Sequence, residues 1–291
     1  MNSNFWKGKT VLITGASSGI GEAIFHRLDG IASTIYLLSR NPKITQTKKT
    51  KDSKQDITSA IKNKNEQEHG SENGQVKSEL ISIACDLSKS DQVEKALKSI
   101  LKSNPSGIDV IFNNAGITAH GRFESTKMDV FRQTFETNFF GPIRLIQGLV
   151  PELVKVKGVV ISTSTVSALY GVPGRAAYSS SKSAVHAAME SFRIEMSEQD
   201  VRSILVCVPY TKTKLRQSGL DADGSILQEE QASGKIKTAY EVALSILEAV
   251  ENPKSKLVTI DKSGFAMKLL RLISPNTLEK IMFKKLYKDF H

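Results

Sequence analysis

Hydrophobic positions along the chain form short β-branched runs that alternate with longer segments of helical period. The runs are TVLIT, STIYLLS, ELISIACD, DVIFNNAG, GVVIST, RSILVCVP and KLVTI. Segments such as IGEAIFHRL, QVEKALKSILK and EVALSILEAVE lie between them. Strands that are apolar throughout are typical of a parallel sheet covered by helices on both faces. The pattern therefore predicts a three-layer α/β fold, with a doubly wound parallel sheet in a single domain.

Two segments depart from this alternation. Residues 41–77 are rich in Lys, Asn, Gln and Ser and poor in apolar residues, which predicts a solvated polar insertion around one helix. A partner-binding arm is the alternative for this insertion. The carboxyl end also changes character, so we expect a domain of residues 1–261 followed by an extension of residues 262–291.

The C-terminal extension has an amphipathic pattern. Its apolar side chains recur every four residues, at Leu278, Met282, Leu286 and Phe290. Its lysines recur at the same spacing about 200° around the helix, at Lys280, Lys284 and Lys288. Two interpretations stay open: a terminal helix packed on the body or on a second subunit, or a basic helix in which residues 265–291 lie on an anionic membrane surface.

Composition narrows the class of protein. The chain has 291 residues, 40% of them hydrophobic, and a net charge of +10, which suits a soluble globular enzyme. Cys85 and Cys207 lie in apolar runs and are expected to be buried thiols, with no metal site. No run approaches the length of a membrane span, so we expect a cytoplasmic protein. No basic and aromatic motif accompanies the charge, so nucleic acid is not an expected partner.

A glycine-rich turn follows the first strand and opens the first long helix. Its sequence is TGASSGIG, residues 14–21. Glycines allow a tight turn and a close approach to a pyrophosphate, while free amides at the helix start point at the anion. This placement predicts a Rossmann-type dinucleotide site, and its residues are Thr14, Gly15, Ser17, Ser18, Gly19, Ile20 and Gly21.

The end of the second strand indicates which dinucleotide is bound. An acid that would hold the ribose 2′-hydroxyl is expected here, but the chain has Ser39 followed by Arg40. A hydroxyl and a cation suit a 2′-phosphate, which an acid would repel. The sequence therefore predicts NADP(H) as the cofactor.

Four motifs in this order resemble the short-chain dehydrogenase/reductase family. They are TGASSGIG, then NNAG at residues 113–116, Asn138 within TNFFG, and Tyr178 with Lys182 in YSSSK. The resemblance covers residues 7 to 261, apart from the polar insertion. It implies an NADPH-dependent carbonyl reductase, reversible as an alcohol dehydrogenase, that transfers a hydride to a ketone or from a secondary alcohol.

The resemblance also implies roles for individual residues. Tyr178 would be the general acid in reduction and the base in oxidation, Lys182 would hold the nicotinamide ribose, and Asn138 would order a water behind the lysine. The other cofactor contacts that it implies are Asp86 and Leu87 at the adenine, Asn113, Asn114, Ala115 and Gly116 below the cofactor, and Pro209, Thr211 and Thr213 at the nicotinamide half.

Chemistry supports the tyrosine and lysine independently of the family. A free tyrosine has a pKa near 10, and a lysine cation together with an oxidised nicotinamide would lower that pKa. Tyr178 and Lys182 stand four residues apart, so they share one face of a helix.

The family's serine, 13 residues before the tyrosine, is replaced here. Counting back from Tyr178 gives Thr165, and Ser164 precedes it. Threonine keeps the hydroxyl and adds a methyl group that restricts χ1. Thr165 is the first candidate to polarise the carbonyl, and Ser164 is the alternative.

The substrate segments suggest an apolar pocket and therefore a lipid-like, steroid-like or aryl ketone. The residues that suggest it are Ala119, Phe123, Leu169, Tyr170, Val172 and Leu215. By resemblance we expect a homo-oligomer. The alternative function is an NADP(H)-binding scaffold or sensor with little turnover. Two features support this alternative: the replaced serine and a glycine that is missing after the sixth strand.

Overall fold

A computed structural model of the protein describes residues 1–42, 77–103, 106–215, 218–227 and 236–286. The polar insertion predicted from the sequence falls almost wholly outside these residues. The end of the amphipathic pattern, including Lys288 and Phe290, also lies outside them.

The predicted strands form one sheet of seven parallel strands. The strands are β1 (Thr10–Thr14), β2 (Thr34–Ser39), β3 (Glu79–Ala84), β4 (Val110–Asn113), β5 (Val159–Thr165), β6 (Arg202–Val208) and, after two short strands, β9 (Leu257–Thr259). Their order in the sheet is β3-β2-β1-β4-β5-β6-β9. The short strands β7 (Thr211–Lys212) and β8 (Lys237–Thr238) pair with each other.

Helices cover both faces of the sheet. They are α1 (Ser3–Trp6), α2 (Gly19–Leu28), α3 (Ser90–Ser103), α4 (Met128–Phe135), α5 (Gly141–Val156), α6 (Ala176–Glu195), α7 (Ala239–Glu251), α8 (Lys262–Ile273) and α9 (Pro275–Leu286). Side chains of β1 alternate between the two faces: Val11 and Ile13 pack with α2 and α7, and Leu12 packs with α3, α5 and α6. The three-layer, doubly wound fold predicted from the sequence is confirmed.

The strand order reverses between β1 and β4, and a crevice opens there at the carboxyl ends of the strands. The Thr14 hydroxyl joins the two strand ends. It accepts hydrogen bonds from the amides of Asn114 and Ala115, both at 3.0 Å, and donates to the Phe112 carbonyl at 3.2 Å. The loops that form the crevice are therefore held together at their base.

The C-terminal extension folds as α8 and α9 beside the end of β5. Leu278 and Met282 are buried against the chain itself, so the apolar face predicted for a membrane helix packs inward at these two positions. No helix of the described residues has the length and apolar character needed to cross a membrane. Cys85 and Cys207 are buried free thiols, as expected.

Candidate active site

The glycine turn forms a cradle that a larger residue would fill. Gly15 and Gly19 have φ of +67° and +59°, a region that favours glycine. A Cβ on Gly15 would lie 2.9 Å from the Cα of Ala115. Because α2 begins at Gly19, the amides of its first turn lack helical partners and suit an anion. The turn therefore fits the pyrophosphate of a dinucleotide.

A cleft runs from this turn across the crevice. Most of the predicted site residues line it, namely Gly15, Ser17, Ser18, Gly19, Ile20, Ser39, Arg40, Asp86, Leu87, Asn114, Ala115, Gly116, Ser164, Tyr178, Lys182 and Thr213. The remaining predicted residues are outside the lining: Thr14, Gly21, Asn113, Asn138, Thr165, Pro209 and Thr211.

Several of the predicted residues outside the lining support its walls. A Cβ on Gly21 would collide with the Gly15 carbonyl, and the Asn113 side chain donates to the Ser162 hydroxyl at 3.1 Å. The Thr211 hydroxyl donates to the Pro209 carbonyl at 2.8 Å, so it is engaged within its own turn. Sequence reasoning therefore identified residues that build the cleft as well as residues that face it.

Other lining residues were missed. They include Leu38, Cys85, Ser88, Ile117, Gln133, Thr137, Thr163, Val208, Lys214 and Ser218. Most are neighbours of predicted residues at strand ends, so the carboxyl-end rule for parallel sheets could have found them. Gln133 and Thr137 come from a helix and carry no such signal.

The wall at the end of β2 offers a hydroxyl and a cation, from Ser39 and Arg40. Asp86 is the one acid among the described lining residues. Its carboxylate accepts hydrogen bonds from the amide and hydroxyl of Ser88, at 3.0 and 2.8 Å. That carboxylate is therefore engaged in its own loop, and its charge lies in the turn after β3.

Asn138 connects the loop after β4 to α6. It sits in a π-helical turn, Glu136–Phe140, a geometry that is frequent at functional sites. Its amide donates to the Ile117 carbonyl at 2.9 Å and to the Ser181 hydroxyl at 3.0 Å, and its oxygen accepts from the Ile117 amide at 2.8 Å. Through these bonds, the Asn138 side chain holds α6 next to the loop after β4.

Tyr178 and Lys182 lie one turn apart on α6, at the cleft. The Lys182 ammonium donates to the Thr163 carbonyl at 3.1 Å, and burial lowers its pKa to about 8. Burial also raises the pKa of Tyr178 to about 12, against the opposing effects of Arg175 and of a hydrogen bond with Thr165. The lowered phenol pKa expected from Lys182 is therefore not produced by the chain's own groups, because desolvation outweighs the charge of Arg175 and the effect of Thr165.

Arg175 was not singled out from the sequence as a site residue. It is the N-cap of α6, three residues before Tyr178, and its guanidinium donates to the Thr118 hydroxyl at 3.3 Å. Its charge opposes the rise in the pKa of Tyr178. Its position about one turn before the tyrosine of YSSSK is the sequence feature that could have identified it.

The two hydroxyls at the end of β5 point to different neighbours. The Thr165 hydroxyl donates to the Ser167 hydroxyl at 3.4 Å and accepts from the Ser167 amide at 3.2 Å, and its interaction with Tyr178 lowers the pKa of the phenol. The Ser164 hydroxyl is buried and lies 2.7 Å from Nε2 of His186 on α6. Ser164 lines the cleft whereas Thr165 does not.

His186 is a buried partner that the sequence did not single out. It stands on α6 four residues after Lys182, and burial together with the Lys182 charge lowers its pKa to about 4. A hydrogen bond joins the neutral imidazole to the Ser164 hydroxyl and so connects α6 to the end of β5. The regular spacing of Tyr178, Lys182 and His186 on one helix face could have indicated it.

The wall after β5 is in contact with the C-terminal extension. The Leu169 carbonyl accepts a hydrogen bond from the Arg271 guanidinium of α8. The Tyr170 hydroxyl donates to the Glu279 carboxylate of α9 at 2.8 Å. Of the other predicted pocket residues, Leu215 lines the cleft and Ala119 is buried, whereas Phe123 is 74% exposed.

The sheet, its reversal and the glycine cradle define a Rossmann-type α/β protein. A family model described as short chain dehydrogenase matches residues 50–223. A Xenopus laevis protein, dehydrogenase/reductase SDR family member 7B, is 31% identical, over 96% of this chain and 82% of its own.

Solved structures share the fold. A short chain dehydrogenase from Burkholderia cenocepacia J2315 in complex with NADP has a TM-score of 0.73 at 18% identity, over 97% of this chain and 99% of its own. A short chain dehydrogenase/reductase from Burkholderia phymatum in complex with NAD has a TM-score of 0.69 at 19% identity, over 94% and 95%.

The chain belongs to the short-chain dehydrogenase/reductase family. It is an oxidoreductase of this type, and the family binds a nicotinamide cofactor and acts on small molecules.

Because His186 is buried, we expect the folded protein to lose stability in mild acid. Its pKa of about 4 in the fold is below the ordinary value of about 6.5, so the unfolded chain binds the extra proton and stability falls as pH drops below about 6.5. We expect this residue to account for about 2 kcal/mol of the difference in unfolding free energy between about pH 7.5 and about pH 5.

Urea unfolding of the wild type and of His186→Gln at both pH values measures this difference. The glutamine variant keeps a hydrogen-bonding group but does not titrate, so its pH dependence should be smaller. His26→Gln, at an exposed histidine, is the matched control. Equal pH dependence in all three proteins would contradict the prediction.

Proposed function

We propose that this protein is an NADPH-dependent carbonyl reductase, reversible as an alcohol dehydrogenase. The observation that carries the proposal is the position of Tyr178 and Lys182, one turn apart on α6, in the cleft that starts at the glycine cradle, with Thr165 acting on the phenol from the end of β5. A phenol proton donor, a second hydroxyl and a buried ammonium are thus gathered where a carbonyl can meet the nicotinamide.

The chain's own residues divide the work of carbonyl reduction. Bound nicotinamide would supply the hydride. Tyr178 donates its hydroxyl proton to the carbonyl oxygen, and its pKa of about 12 keeps that proton in place at neutral pH. The Thr165 hydroxyl orients and polarises the same oxygen. Lys182 holds the ribose, and Asn138 positions the loop and the helix that carry these groups.

The choice of NADP(H) rests on the end of β2. Ser39 and Arg40 line the cleft there, and an arginine is suited to a 2′-phosphate because its planar donors match phosphate oxygens. The two solved structures compared above hold NADP and NAD respectively, so the family fold is compatible with either cofactor. The local charge of this chain supports the phosphorylated one.

The remaining parts of the proposal follow from the pocket and the family. The substrate is an apolar ketone or secondary alcohol, and the protein is a cytoplasmic homo-oligomer with a catalytic domain of residues 1–261 and an extension of residues 262–291. The extension also contacts membranes peripherally. An NADP(H)-binding scaffold with little turnover is the competing function, and the replaced serine is what favours it.

Tyr178→Phe should lower the rate of ketone reduction at least about 100-fold, because it removes the proton donor. NADPH binding should persist, since the glycine cradle is untouched. NADPH absorbance followed over a panel of apolar ketones measures the rate, and fluorescence titration measures binding. A fully active phenylalanine variant would refute the role of Tyr178, and wild-type protein that binds NADPH without turnover of any ketone would favour the scaffold.

Thr165→Val should cost about 10- to 100-fold in kcat/KM, as expected when a donor to a developing charge is lost. Ser164→Ala should have a smaller effect, because the Ser164 hydroxyl is paired with His186. Thr165→Ser, which restores the family residue, is the control and should keep activity. A large loss confined to Ser164→Ala would assign the role to Ser164.

Arg40→Asp should raise the KM for NADPH about 10- to 100-fold and leave that for NADH little changed, because it replaces a charge-assisted contact with repulsion. Lys89→Asp is the charge-matched control, since Lys89 is exposed and lies outside the cleft lining. If Arg40→Asp keeps the NADPH preference of the wild type, the assignment of the 2′-phosphate site is wrong.

A further inference from the structure

Helix α8 presents an apolar face to solvent. Its large exposed side chains are Phe265 (64% exposed), Leu269 (46%), Leu272 (76%) and Ile273 (71%). Their spacing of four, three and one residues puts them on one face of the helix. This exposed face differs from the one predicted on α9, where Leu278 and Met282 are buried.

Contacts on the opposite side of α8 hold this face outward. A Cβ added to Gly264 would lie 2.9 Å from Thr259 and 3.0 Å from Val166, so the first turn of the helix sits close to the end of β5. The Asp261 side chain caps α8 by accepting from the Gly264 amide at 3.1 Å. In the last turn of the helix, Arg271 donates to the Leu169 carbonyl. Rotating α8 to bury the apolar face would break these contacts.

Lysines border the exposed face. Lys262 and Lys268 are exposed. At 100° per residue, Lys268 lies about 40° beyond Leu272 at one edge of the face, and Lys262 lies about one turn before Phe265, at the amino-terminal end of the face. Residues 262–286 contain six basic residues and one acidic residue. An apolar strip edged by cations matches the surface of an anionic bilayer, where acyl chains lie beneath negative headgroups. A second copy of this face would instead bring its own cations against these lysines.

We propose that α8 docks on an anionic lipid surface, with Phe265, Leu269, Leu272 and Ile273 inserted between the headgroups. Lys268 contacts lipid phosphates and carboxylates at one edge of the inserted face, and Lys262 contacts them at its amino-terminal end. The docking is peripheral, since the helix has 12 residues and lies parallel to the surface.

Docking in this way places the segment after β5, which the sequence predicts to border the substrate, close to the bilayer. The inner side of α8 touches the Leu169 carbonyl, and α9 holds the Tyr170 hydroxyl. This segment leads along the chain to Tyr178. An apolar ketone that partitions into the bilayer then reaches the site from the lipid side. This consequence rests on the proposed reductase function, whereas the docking itself does not.

Co-sedimentation of the full chain with vesicles tests the docking. The probes are phosphatidylcholine vesicles with about 30% phosphatidylserine and vesicles of phosphatidylcholine alone. The double variant Phe265→Ser/Leu272→Ser should lower the partition coefficient on anionic vesicles at least about tenfold. Both residues are exposed, so the fold should be kept, which circular dichroism verifies.

Two further variants separate general effects from docking. Ile194→Ser removes an apolar side chain of matched exposure, 72%, from α6, and should bind as the wild type does. Lys268→Glu should weaken binding to anionic vesicles about fivefold or more, with little change on neutral ones. Equal binding by the wild type and the double variant, or no binding by the wild type, would overturn the proposal.

Sedimentation velocity measured on the same proteins identifies the competing occupant. If the wild type is a dimer that the double variant disperses, and neither binds vesicles, the face is an interface between copies and the lipid proposal is wrong. A self-association state unchanged by the double variant, together with its loss of vesicle binding, supports the lipid proposal.

An activity measurement separates the two proposals. Reduction of a water-soluble ketone should be the same in the wild type and the double variant, because the variant leaves the cleft intact. Reduction of a long-chain ketone embedded in anionic vesicles should fall at least about tenfold in the variant. Absence of reduction in every condition would refute the reductase, and the vesicle binding would still decide the docking. Equal rates on the embedded ketone would reject delivery from the lipid side.

Discussion

The close approach of the loops after β1 and β4 is the constraint on which the rest of the site depends. The Thr14 hydroxyl accepts from two amides of the loop after β4 and donates to one carbonyl of β4 itself. Gly15 lies so near Ala115 that a Cβ would overlap it. The base of the crevice at the sheet reversal is therefore formed by direct contact between the backbones of these two loops. The anion-binding amides of α2 and the loop of Asn114 to Gly116 consequently face the same space.

From that base, α6 is positioned by polar contacts on two sides. Asn138 ties it to the loop after β4 through Ser181, and His186 ties it to β5 through Ser164. Both ties are buried, where an unpaired polar group would be costly. The helix that carries Tyr178 and Lys182 is thus fixed both to the loop after β4 and to the end of β5.

The sequence predicted the sheet well because its central strands are buried on both faces and read as continuous apolar runs. The cofactor turn was predictable for a related reason: only glycine suits the φ of Gly15 and Gly19. The pairing of Ser164 with His186 and the influence of Arg175 on Tyr178 depend on how α6 docks against β5. Local patterns carry no such distances. Helices α4 and α5 are also separated by a π-helical turn around Asn138, which periodicity alone does not show.

The outward face of α8 was unpredictable for another reason. Apolar residues surround much of this helix, and periodicity does not say which of two apolar stripes will pack. Gly264 determines which side of α8 packs against the body, because only the side without a Cβ can approach Thr259 and Val166 this closely. The Arg271 guanidinium then lies on the inner side, where it donates a hydrogen bond to the Leu169 carbonyl.

The buried groups of the site favour one direction of proton transfer. Desolvation opposes charge on both Tyr178 and Lys182, raising the pKa of the first and lowering that of the second. In the proposed reductase, the phenol would therefore keep its proton until a carbonyl oxygen gained negative charge. The methyl group of Thr165 would further exclude water around the phenol. For the proposed reaction, such a site would suit donation of a proton to a ketone at neutral pH.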